Sequence, residues 1–121
     1  MNKNLMLQLV NNERQKAGVK ELVWDSRLEK VAQLQSEFMA SCNSCTHSSD
    51  SGNLSTRVEA QGFSWSGCAE NVAEGYKNEE SVVKGWLTSH GHKNNMLNQK
   101  YTHFGAGHKN GFWAQVYASE L

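Results

Sequence analysis

Glu70 stands in the run GCAENVAEG at positions 67–75, two residues after Cys68 and among small and apolar neighbours. His47 also lies two residues after a cysteine, Cys45, in the polar run CTHSSDSG. His92 follows WLTSHG. Two imidazoles and one carboxylate with an open position make a donor set for zinc, so His47 and Glu70, with a second histidine such as His92 or His90, are candidate metal ligands. The same groups suit hydrolysis, with Glu70 activating a water and a histidine or zinc polarising a carbonyl. Ser89, three residues before His92, is a candidate nucleophile with that histidine as its base. No oxyanion-hole motif or third orienting acid accompanies it, and a serine there more often ends a helix.

The other histidines carry less. His90 and His92 share a face on a strand but not on a helix, so at most one turns inward where a helix is ending. His103 and His108 flank FGAG, and single histidines on strands are more often structural than ligating. Cys42, Cys45 and Cys68 are an odd set. One disulfide with a free thiol, or three thiols, both satisfy that count. A Cys45–Cys68 link is favoured over Cys42–Cys68, and it would carry His47 to Glu70. Cys42-x-x-Cys45 is a weak redox motif without a βαβ unit around it, and a weak zinc motif without a second pair.

These residues need elements to position them. NLMLQLVNNERQKAG spaces Leu5, Leu9 and Val10 for one helical face with Met6 beside it, and Gly18 stops the helix. KELVW reads as short and extended. Asp25 or Ser26 caps the next helix, and Ser26-x-x-Glu29 has capping-box spacing. Leu28, Val31, Ala32, Phe38 and Met39 make its apolar stripe. CNSCTHSSDSGN is a loop, LSTRVEAQG a short helix and AENVAEGY a strand. Asn78 caps EESVVKGWLTSH, and KNNML adds about one more turn. Asn110-Gly111 between THFGAGHK and FWAQVYA is a hairpin signal. About four helices surround three or four short strands with no regular βαβ repeat, which makes the fold class α+β with an antiparallel sheet.

The bulk numbers bound the function. A chain of 121 residues supports one domain, residues 1–121, with one core. Lys plus Arg and Asp plus Glu are 12 each, and a net charge of zero argues against a nucleic-acid partner. No apolar run is long enough to span a membrane. The first residues enter a helical pattern without a signal peptide, so the chain is either cytosolic or a mature segment.

Taken in order, LVNNERQKAGVKELVWDSRLEKVAQ, CTHSSDSG, RVEAQGF, AENVAEGY, VVKGWLTSHGHKNNML, YTHFGAGH and FWAQVY resemble the CAP superfamily. That group comprises cysteine-rich secretory, antigen 5 and pathogenesis-related proteins, and the bacterial SCP-like extracellular branch is the nearest match. The resemblance implies a three-layer α-β-α sandwich with a central antiparallel sheet and a cleft of two His and two Glu. His47 matches the first family histidine and Glu70 the glutamate of the G-E-N motif. The second glutamate falls on Ser89, and the second histidine on Phe112 or Trp113. His92 matches a histidine of the bacterial S-x-G-H run instead, so the resemblance makes His92 the second imidazole of a metal set with His47 and Glu70. Asn71, Trp86 and Gln115 are expected to brace the fold. The implied function is that of a secreted, monomeric binding module, its leader removed. Its ligand would be zinc, a small lipid or other small molecule, or a partner protein, with a peptide or ester hydrolase as the alternative.

Overall fold

The computed structural model describes residues 1–121. In chain order the elements are α1 (Lys3–Lys16), β1 (Val23–Trp24), α2 (Ser26–Cys42), α3 (Leu54–Ala60) and β2 (Trp65–Glu74). They continue with α4 (Glu79–Leu87), α5 (His90–Leu97), β3 (His103–Lys109) and β4 (Phe112–Glu120). The sheet order is β1-β3-β4-β2. Helices α1, α4 and α5 cover one face, and α2 and α3 cover the other. This is the expected three-layer sandwich. Two details differ from the sequence reading. The pair β1–β3 is parallel, while β2–β4 and β3–β4 are antiparallel. The segment after Ser89 is a separate helix, α5, rather than an added turn of α4.

Local chemistry sets the element ends. Asp25, not Ser26, caps α2 by accepting from the backbone N–H of Arg27 and Leu28. Glu29 is drawn away from a capping box by Lys3 and the indole N–H of Trp24. Asn78 and Ser81 do form a capping box at the start of α4. Asn110 (φ 49°) and Gly111 (φ 82°) both take the left-handed conformation that a two-residue hairpin between twisted strands demands.

Strand β4 is buried from Phe112 to Ala118 because both its faces are covered. Trp113 and Tyr117 pack with Met6, Val10, Val82, Val83 and Trp86 on one side. Phe112, Ala114, Val116 and Ala118 pack with Leu28, Val31, Ala32 and Met39 on the other. The FGAG run explains how close α2 lies to β3. Gly105 and Gly107 share a face, and a Cβ on either would strike the α2 backbone at Leu28–Glu29 or at Gln33.

Strand β2 is an edge, with alternate carbonyls left without a strand partner. Side chains take their place. Tyr101 Oη donates to the Cys68 carbonyl, Asn95 Nδ2 to that of Glu70, and Trp86 Nε1 to that of Val72. On the same face Arg14 is fully buried. Its guanidinium donates to the carbonyls of Lys20, Met96, Asn98 and Tyr101 and meets no carboxylate. It ties α1 to the α5–β3 connection.

Candidate functional site

Glu70 lies in the middle of β2 opposite Val116. Its side chain is 2% exposed. An isolated carboxylate could not stay charged there, so it needs a partner, and Arg57 of α3 supplies one. Arg57 Nη1 donates to Glu70 Oε2 at 2.9 Å and Nη2 to Oε1 at 3.1 Å. The planar guanidinium matches the carboxylate in a fork.

Arg57 also gathers the loop that carries His47. Its Nη2 donates to the His47 carbonyl at 3.1 Å and its Nε to that of Gly52 at 3.2 Å. From α2, Gln35 Nε2 donates to the carbonyls of Thr46 at 2.7 Å and Ser48 at 3.0 Å. Two buried side chains therefore clamp the backbone on both sides of His47. The imidazole then rests with Nδ1 3.0 Å from Glu70 Oε1, while 60% of the side chain stays exposed. The bond to Glu70 raises the His47 pKa above its ordinary value; partial burial and Arg57 pull the other way but do not win.

His92 belongs to the first turn of α5 and is half-buried, whereas His90 is exposed. Asn71 Nδ2 donates to the His92 carbonyl at 3.1 Å, and Asn95 Nδ2 donates to Asn71 Oδ1 at 3.0 Å. The start of α5 is thus fixed to β2 beside Glu70. Burial, and then the neighbouring charge of His47, lowers the His92 pKa. His92 and His47 hence share one side of the molecule, with their titrations pushed apart. Asn71 also donates to Gln115 Oε1, so it braces the fold together with Gln115 and Trp86, as the sequence reading has it.

The structure brings His47 to Glu70 and His92 near them, but the three do not form one ligand group: nowhere do three His, Cys, Asp or Glu side chains converge for a metal. A zinc held by His47, His92 and Glu70 together does not fit this arrangement, because the Glu70 oxygens are already engaged by Arg57 and His47. Glu70 sits behind His47, where a carboxylate orients an imidazole. Ser89 is the N-cap of α5 with no side-chain hydrogen bond, to the helix or to His92.

The route to this cluster also differs from expectation. Cys42, Cys45 and Cys68 are free thiols, so neither the Cys45–Cys68 nor the Cys42–Cys68 link is formed. Cys45 lies within the field of Glu74, whereas Cys68 lies near Arg57, Glu70, Glu59 and Lys100. Six residues of strand, ~20 Å, separate Glu74 from Cys68. Burial raises the Cys45 and Cys68 thiols, opposite to the lowering that activates a redox cysteine. His103 and His108 are structural: His103 bonds Thr102 and sets its ring against Phe63, and His108 stacks on Trp113 at 4.0 Å. Arg57, Gln35 and Asn95 are absent from the sequence-derived site.

The cysteine-rich secretory protein family model matches residues 7–117. The uncharacterized protein YkwD of Bacillus subtilis is 37% identical over 115 residues, 93% of this chain and 45% of its own length. An extracellular protein of Bacillus anthracis containing an SCP domain superposes with a TM-score of 0.94 at 28% identity. That match covers 98% of this chain and 40% of the other. An outer surface protein of Borrelia burgdorferi superposes at 0.89 and 20% identity, covering 98% of this chain and 92% of the other. The chain spans less than half the length of the curated relatives it matches. It belongs to the cysteine-rich secretory protein family.

Proposed function

We propose that this member of the cysteine-rich secretory protein family is an extracellular binding module whose contact point is the His47 imidazole, with His92 beside it. One observation carries the reading. A buried carboxylate holds Nδ1 of a largely exposed histidine, which leaves Nε2 without a partner in the protein. Such an imidazole can accept a hydrogen bond or ligate a metal when neutral, and can donate when protonated. The groups that reach the surface here are the two imidazoles, with Glu70, Arg57 and Asn71 buried behind them, which favours a metal or a hydrogen-bonding partner over a lipid.

A divalent metal would contact His47 and His92 only, with Glu70 orienting the first imidazole and the remaining ligands coming from solvent or a partner. Isothermal titration with zinc tests this. His47→Ala and His92→Ala should each weaken binding about tenfold or more. Affinity should rise with pH through the raised His47 pKa, since ligation needs the neutral ring. Equal zinc binding by wild type and His47→Ala overturns the reading. Extracellular placement draws on the B. anthracis and B. burgdorferi proteins, described as extracellular and outer-surface. No helix here is long and apolar enough to cross a membrane.

A hydrolytic role has one specific support, the opposite pKa shifts of the two histidines, which suit an acid and base pair. It would run through His92 as base and His47 as acid, because Arg57 occupies Glu70 and Ser89 is not bonded to His92. Turnover of a peptide and ester panel that vanishes in His92→Ala would favour it, and silence across the panel would remove it.

A further inference from the structure

A cavity of about 380 Å³ opens between α2, α3 and the loop of residues 49–51. That volume is in the range of small-molecule sites. Its apolar wall is Val31, Leu34, Phe38 and Ala60. Leu34 is 42% exposed, high for a leucine on a helix that packs on a sheet. Glu37 and Asp50 also line it. Arg57 adds no free charge, since its guanidinium is spent on Glu70 and two carbonyls.

Gln35 lines the same cavity and is 1% exposed. Its amide nitrogen is committed to Thr46 and Ser48, so the amide cannot flip without losing both bonds. Its Oε1 is the molecule's one buried side-chain polar atom without a hydrogen-bond partner. An orphaned buried acceptor is costly, and native proteins seldom keep one without a use.

We infer that this cavity binds a compact organic ammonium ion, whose N–H donates to Gln35 Oε1 while its apolar body lies on Leu34, Phe38 and Val31. The donor requirement follows from the orphan acceptor. The positive charge follows from two carboxylates with no free cation opposing them. Phe38 adds an aromatic ring to the cavity wall. Nothing in this argument depends on His47 or on zinc.

Three probes of similar shape test it: phenethylammonium, 2-phenylethanol and phenylacetate, titrated into the full chain and followed by amide chemical shifts. The ammonium should bind most tightly, the alcohol about tenfold more weakly, and the carboxylate more weakly still. Shifts should concentrate at residues 31–38 and 49–51. Gln35→Met should weaken the ammonium at least tenfold. Because that change also releases the His47 loop, Glu37→Gln with Asp50→Asn serves as the second variant. These exposed positions leave the fold unchanged, and the preference for ammonium over alcohol should fall towards parity. Equal binding of all three probes, no binding of the ammonium, or shifts centred elsewhere overturns the proposal. So does a selectivity unchanged by the double substitution.

Discussion

Two arginines are buried in this protein, and they are buried differently. Arg14 is 0% exposed and bonds four backbone carbonyls from two separate stretches of chain, residue 20 and residues 96–101, with no carboxylate among its partners. Arg57 is 6% exposed and forks onto a carboxylate that in turn holds an exposed imidazole. The first arrangement closes on itself and positions backbone. The second ends at the surface with a ring nitrogen free. A buried cation by itself therefore says little about function; what its network presents to solvent does.

Substitution can break that comparison. Arg57→Met leaves Glu70 buried without its guanidinium partner, at a cost of about 3–5 kcal/mol. Adding Glu70→Met should recover most of that loss, because the stranded charge is gone. Urea midpoints of the two single variants and the double measure the coupling. Additive losses would mean that the pair does not act as a unit.

Arg14→Met should cost somewhat less, about 2–4 kcal/mol, from carbonyls left without donors. No single second substitution can rescue it, since its acceptors are backbone groups at residues 20, 96, 98 and 101. Zinc binding by the folded fraction should stay at the wild-type level. If Arg14→Met abolished binding while the protein remained folded, the division between the two regions would fail.

The smallest effect concerns pH. The His47 pKa is raised on folding, so its contribution to stability is complete below the unfolded value near 6.5. It is lost as pH rises through the higher folded value. The side chain is 60% exposed, which limits the contribution to less than about 1 kcal/mol. His92 is lowered by burial and acts in the opposite sense, with stability present above about 6.5 and lost as pH falls through its folded value. His47→Ala should remove the first dependence and leave the second, as read by thermal unfolding between pH 5 and pH 8.

Much of the frame was legible in the sequence because it is written in local signals. Asn110-Gly111 marked the hairpin and Asn78 the start of α4, whereas the close approach of α2 to the FGAG glycines came from the structure alone. The pairing of His47 with Glu70 was also legible, though for the wrong reason: two buried side chains, not a disulfide, bring the loop in. Arg14, Gln35 and Arg57 escaped notice because composition places charged and amide side chains outside. Their partners are carbonyls or a carboxylate distant in sequence, and no period or spacing marks such partners. Arg14 bonds Tyr101, 87 residues away. Phe38 was assigned to the core stripe, yet it is only half-buried and faces the α2–α3 cavity.

The most direct test is the titration of the His47 ring followed by NMR in wild type and in Glu70→Gln. Gln keeps the shape of the side chain and removes its charge. The wild-type ring should titrate above the ordinary histidine value near 6.5, and Glu70→Gln should bring it down to that value or below. An identical midpoint in the two proteins would mean that Glu70 does not hold His47, and the proposed contact point would lose its foundation.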